Sequence, residues 1–121
     1  MQQKRNMRKL GSDYEELAAA WLAEQGFEIV TRNFRCRSGE IDLIAWEGKY
    51  LVFVEVKYRS GGGQGDPADA VTFAKQRSIS QVAALYLLRN QLPDDTPCRF
   101  DVVAVSPSGI QLYRDAFPYR M

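Results

Sequence analysis

Histidine is absent from this chain of 121 residues. With it go the serine–histidine and cysteine–histidine nucleophilic schemes, which need an imidazole to take the proton. Cysteine is scarce: Cys36 and Cys98 stand far apart and in no paired motif. Two thiols without histidine do not complete a usual structural zinc site, and a cytoplasmic protein with two free thiols is expected. No apolar run is long enough to span a bilayer, so no membrane association is expected. The basic start is not followed by an apolar segment and a small-residue cleavage site, so no signal peptide is expected either. Formal net charge is only +1, and total charge therefore says nothing about nucleic acid. Any proton transfer is left to carboxylates, lysine, tyrosine or metal-bound water.

What is there is ordinary in amount and unusual in place. Apolar content of 45% and charged content of 26% suit a soluble globular domain with a single core. Lys4, Arg5, Arg8 and Lys9 make the first ten residues basic with no acid among them. Residues 1–10 read as a solvated, flexible leader, and 11–121 as one domain. Arg32, Arg35 and Arg37 form a second basic cluster, open between surface charge and phosphate contact.

Helical spacing of Tyr14, Leu17, Ala18, Trp21 and Leu22 predicts a helix from Ser12 to about Gln25. Ser12 with Glu15 resembles a capping box, and Gly26 is placed to end the helix. Phe27 to about Arg35 reads as a strand. Ser60 to Asp66, SGGGQGD, lacks the lysine and hydroxyl of a phosphate-binding loop and reads as a mobile linker. Asp66-Pro67 offers an N-cap and first-turn proline for a long helix to about Asn90. Its stripe includes Val71, Ile79, Val82, Ala83, Tyr86 and Leu87. Lys75 lies on that stripe, where a snorkelling side chain is the plain explanation. Phe100–Val105 reads as a strand and Ile110–Tyr113 as a short edge strand.

Between these lies the segment that points to chemistry, Gly39 to Arg59. Two apolar runs, Ile41–Trp46 and Leu51–Val56, flank Gly48-Lys49, a pair suited to a type II′ hairpin turn. Glu47 then faces Tyr50, Asp42 falls opposite Glu55, and Glu40 opposite Lys57. Period-two alternation sets Glu40, Asp42, Glu55 and Lys57 on one face, with opposed Cβ atoms about 4.5–5.5 Å apart. Ile41, Leu43 and Ala45 are expected on the other face. Charges on a strand usually mark a solvated face with cross-strand pairs. Here both faces are otherwise apolar, as in a central strand covered on both sides. Carboxylates crowded at its margin repel one another unless a cation sits between them.

The order helix, three strands, helix, strand, with a last short strand, predicts a mixed sheet flanked by helices, the fourth strand returning parallel to the third. With that order, an aspartate ending one strand and Glu55-Val56-Lys57 on the next resemble the PD-(D/E)xK, restriction-endonuclease-like nuclease superfamily. Gly39–Ile44 (GEIDLI) and Phe53–Lys57 (FVEVK) resemble, more closely, the bacterial YraN-like family of predicted endonucleases, which is similar to archaeal Holliday-junction resolvases. The resemblance runs from Gly11 onward. It implies an α/β fold with an αβββαβ core, and maps the first-helix glutamate to Glu15, the long-helix lysine to Lys75 and an RFDVV strand to Arg99–Val103. Two positions depart from the pattern. Ile41 replaces the nominal proline, and Tyr14 replaces a glycine before Glu15. Glu15 thus stays open between capping and catalysis.

The resemblance implies metal-assisted phosphodiester hydrolysis. Asp42 and Glu55, with the Val56 carbonyl, would hold Mg2+ or Mn2+. Two neighbouring carboxylates favour the charged ammonium of Lys57, which suits charge stabilisation better than base catalysis. Glu15 would aid a second cation, and Glu40 either joins the site or pairs with Lys57. Arg35, Arg37, Arg59 and Lys75 are the expected contacts to the backbone of nucleic acid, DNA before RNA. Cutting a symmetric junction would call for a homodimer. The alternatives are a non-catalytic nucleic-acid-binding module on a nuclease scaffold and a protein-interaction subunit.

Overall fold

Three segments rich in β-branched and aromatic residues run consecutively as antiparallel strands: β1 (Glu28–Cys36), β2 (Gly39–Glu47) and β3 (Tyr50–Tyr58). The computed structural model describes residues 2–60 and 71–120, with side chains from Asp13 onward. β4 (Cys98–Ser106) lies parallel to β3, and β5 (Gly109–Tyr113) pairs antiparallel with β4 at the far edge. The sheet order is β1-β2-β3-β4-β5. A parallel return needs a crossover, and α2 (Phe73–Arg89) lies between the two strands in sequence. With α1 (Gln2–Glu24) at the start, the expected element order and mixed sheet are both present.

Alternation along the strands divides the core in two. Ile44, Leu51, Phe53, Phe100 and Val102 pack with Ile79, Val82, Ala83 and Tyr86 of α2. Leu43, Ala45, Val52, Val54, Val103 and Val105 pack with Ala18, Ala19 and Leu22 of α1. A fully buried large apolar side chain contributes roughly 1.5–3 kcal/mol. An exposed ion pair such as Arg32–Glu16 contributes about 0–1 kcal/mol, so the two apolar clusters dominate stability.

Several expectations need correction. α1 starts at Gln2, within the segment read as a leader, where Gln, Lys, Arg and Met favour helix. Ser12 is therefore mid-helix and cannot be its N-cap. The inward stripe of α1 is Ala18, Ala19 and Leu22, while Leu17 is 52% exposed. Ile41 joins the α2-side cluster instead of lying with Leu43, at the end of β2 where its ladder to β3 has stopped. α2 is capped by Thr72, whose Oγ1 accepts the Lys75 N–H at 3.1 Å. The glycine-rich linker from residue 61 and the Asp66–Pro67 start lie outside the described residues.

Gly26 ends α1 as expected. Its φ is +101°, and the Phe27 N–H donates to the Leu22 carbonyl, the bond of a Schellman cap. Phe27 is thereby turned into the α1-side core.

Candidate active site

Gly48 has φ +58° while Lys49 keeps a negative φ, the signs of a type II′ turn. The expected hairpin register follows, from Glu47 opposite Tyr50 to Leu43 opposite Val54. One step further the same register sets Asp42 against Glu55, but the backbone ladder stops. Asp42 supplies the missing acceptor itself: its Oδ2 takes the Val56 N–H at 2.8 Å. The carboxylate is thus fixed between β2 and β3.

Glu55 is buried, at 6% exposure, on the innermost strand. Its Oε2 lies 3.6 Å from Lys57 Nζ and 3.6 Å from Lys75 Nζ. Both contacts exceed the roughly 2.7–2.9 Å of a tight charge-assisted hydrogen bond, so neither ammonium locks Glu55. Lys75 comes from the first turn of α2, which the crossover carries to the end of β3. Its ammonium meets Glu55 instead of simply snorkelling into water.

Glu15 continues the inward stripe of α1, at the i, i+3, i+4, i+7 spacing with Ala18, Ala19 and Leu22. The Asn33 side chain lies near the Glu15 carboxylate. Burial first, and then the charges of Glu40 and Glu55, raise its pKa against the opposing pull of Asn33 and Arg35. Asp42 is held well above the usual carboxylate range, mainly by burial and next by the charge of Glu55. The Val56 N–H opposes that rise, and Glu15 adds to it. Carboxylates from α1, β2 and β3 therefore crowd one end of the sheet.

The other expected residues are dispersed around this cluster. Glu40 pairs with Arg35, its direct partner across β1 and β2, and not with Lys57. Arg35 is consequently engaged at the rim, while Arg37 is exposed beyond it. Arg59 is half-buried, with its backbone N–H bonded to the Val105 carbonyl at 2.8 Å. Among the described residues no group of three or more Asp, Glu or Cys side chains is set to enclose a metal ion. Asp42 and Glu55 offer two carboxylates, and a further protein donor would have to be a backbone oxygen.

Sequence reasoning missed three features. Asn33 adopts φ +54°, a conformation asparagine tolerates better than most residues, and its side chain lies near Glu15. An asparagine inside a strand pattern was the available signal. Gly39 has φ +147°, and an added Cβ would stand 2.3 Å from Ser78 Oγ, which donates to the Ser38 carbonyl at 2.5 Å. Close approach of α2 to the β1–β2 turn requires glycine there. Tyr14 stacks on Tyr58, with ring centroids 4.4 Å apart and planes inclined by 12°.

The opposite end of the sheet carries a second charged group. Asp101, fully buried in β4, accepts two bonds from Arg99 at 2.9 Å and one from the Asp115 N–H at 2.9 Å. Glu47 accepts from Arg114 and Arg99, each at 2.6 Å. The hydrogen bond from Arg114 is the main cause that holds the Glu47 carboxyl down at about 2, with Arg99 assisting against the cost of burial. The Arg99–Val103 segment of the resemblance thus builds a closed structural network.

Sheet and helices define a mixed α/β protein with an acidic cluster and two lysines at the carboxyl end of its central strand. Residues 14–105 match the family described as "Uncharacterised protein family UPF0102". A UPF0102 protein of Lachnoclostridium phytofermentans is 52% identical over 112 residues, covering 93% of this chain and 95% of the relative. Another, of Symbiobacterium thermophilum, is 53% identical over 100 residues, covering 83% and 84%. A third, of Rhodococcus jostii, is 52% identical over 113 residues, covering 89% and 95%. The chain belongs to the UPF0102 family, the YraN-like family that its hairpin segments resemble. No helix among the described residues is long and apolar enough to cross a membrane.

Proposed function

We propose that this protein is a metal-dependent endonuclease of the restriction-endonuclease-like class, hydrolysing phosphodiester bonds in DNA in the cytoplasm. The observation that carries the reading is the crowding of Asp42 and Glu55 at the carboxyl end of β3, with two ammonium groups on one Glu55 oxygen. Ligands of open α/β sheets bind at the carboxyl ends of strands. Carboxylates that repel one another in a partly buried site favour a shared cation.

The donors fit a hard divalent ion such as Mg2+ or Mn2+. Asp42 and Glu55 would hold it. In an extended strand a residue's N–H and C=O point to the same neighbour, and the Val56 N–H already faces Asp42. The Val56 carbonyl would accordingly supply the third protein donor. Once bound, the ion would polarise the scissile phosphate and acidify a water.

The remaining chemistry belongs to the chain itself. Lys57 and Lys75 present positive charge to the phosphate oxygens as negative charge builds there. Glu15, near Asn33 at the same end of the sheet, would take part in holding a second cation. Arg35, Arg37 and Arg59 contact the DNA backbone and contribute affinity without sequence choice. Branched DNA, cut by a two-fold dimer, is the substrate to try first.

The test is incubation with branched, flapped and linear DNA in Mg2+ or Mn2+, beside Asp42→Ala and Lys57→Ala. Metal-dependent cutting that both substitutions remove supports the enzyme. Binding without cutting of any substrate would leave a non-catalytic binding module. Absence of both would leave a protein-interaction role.

A further inference from the structure

We propose that the Tyr14–Tyr58 stack is a platform for an unpaired nucleobase, which directs the site to DNA carrying a single-stranded segment. This inference rests on the nuclease reading of the neighbouring carboxylates.

Its first support is placement. Alternation along β3 sends Glu55 and Lys57 toward α2 and sends Tyr58 toward α1, where Tyr14 meets it. Tyr14 directly precedes Glu15, and Tyr58 directly follows Lys57. The acidic cluster is therefore bracketed by cations on one side of the sheet and by aromatic rings on the other. Three residues of strand separate Glu55 from Tyr58, about 10 Å. A phosphate held near Glu55 leaves the base of an adjacent nucleotide within reach of the rings.

Its second support is exposure. An aromatic ring has two faces. Tyr14 covers one face of Tyr58 in near-parallel contact, yet Tyr58 remains 44% exposed. Much of Tyr58 is thus left open to solvent at the site's margin. A flat, exposed aromatic face is a surface on which single strands stack, because every base has a π-face and needs no base-specific contact. Bases within a duplex are already stacked on one another and cannot use it.

The experiment compares binding of a short dye-labelled single strand with binding of the duplex of the same sequence, by fluorescence anisotropy without divalent cations. Tyr58→Ala and Tyr58→Leu should each weaken single-strand binding by about 5- to 150-fold. Duplex binding should change by less than about twofold, and Tyr58→Phe should match the unaltered protein on both. Should Tyr58→Ala unfold by circular dichroism, Tyr58→Leu, which keeps an apolar contact with α1, decides. Equal losses on both DNAs, or no loss on either, overturn the inference. Mg2+-dependent cutting is scored separately. Tyr58-dependent single-strand binding without cutting defeats only the nuclease reading, and cutting without that dependence defeats only the platform.

Discussion

The two ends of the β2–β3 hairpin carry charged groups of opposite character. At the turn end, Glu47 and Asp101 face Arg99 and Arg114 in hydrogen bonds of 2.6–3.0 Å, and the Glu47 carboxyl is held down near 2. At the open end, Asp42, Glu55 and Glu15 face one another, two lysines stand off at 3.6 Å, and the pKa values of Asp42 and Glu15 rise. Both groups lie at least partly buried at the ends of one sheet. Only their matching differs. A closed network spends its charges on the fold, whereas a conflicted one keeps them available for a ligand.

The largest effect expected at the turn end follows from removing one partner. Asp101→Ala leaves Arg99 with Glu47 as its carboxylate partner and strands the Asp115 N–H, and urea denaturation should show a loss of roughly 1–3 kcal/mol. A loss below about 1 kcal/mol would erase the contrast between the ends.

The same comparison predicts large losses of activity at the open end with little change in stability. Asp42→Ala or Lys57→Ala should reduce metal-dependent cutting by about 100-fold or more. The melting temperature of Lys57→Ala should stay near that of the unaltered protein, while Asp42→Ala, which also loses the acceptor of the Val56 N–H, should melt a few degrees lower.

Acid sharpens the contrast next. Glu47 has a folded-state pKa of about 2 against an ordinary 4.5. Its stabilisation is present above pH 4.5 and disappears as pH falls from 4.5 toward 2. Unfolding curves across that window should lose roughly 1–3 kcal/mol through this group, and Glu47→Gln should flatten the slope.

The smallest effect has the opposite sign. In metal-free buffer above pH 8, where the Asp42 carboxyl is ionised, Asp42→Asn removes one of the repelling charges and should stabilise the protein by about 0.5–1 kcal/mol. Destabilisation of that size would indicate that the open end is matched as well as the turn end.

The hairpin was legible in sequence because its determinants are local. Gly48-Lys49 sets the turn, and alternation then assigns Asp42, Glu55 and Lys57. The crossover order likewise foretold the parallel β3–β4 pair. What was hidden depends on distant parts of the chain. Glu40 turns to Arg35 because the β1–β2 register opposes them, and that register includes a shift between Ile29 and Thr31. Ladder rupture at Asp42 is a side-chain event that no periodicity encodes. At the start of α1 only Met7 and Leu10 continue the helical spacing of Tyr14 and Leu17, and Gly11-Ser12 reads as a break, so the sequence pattern understated the helix. Ala19 lies inside and Leu17 outside because the inward face follows the i, i+3, i+4, i+7 phase of Glu15, Ala18, Ala19 and Leu22.

The central claim is that the conflicted end of the hairpin takes up a divalent cation while the matched end does not. Calorimetric titration with Mn2+ tests it most directly, on the unaltered protein, Asp42→Asn and Glu47→Gln. The account predicts binding to the unaltered protein, retained in Glu47→Gln and abolished in Asp42→Asn. Undiminished binding to Asp42→Asn, or none to the unaltered protein, would contradict it.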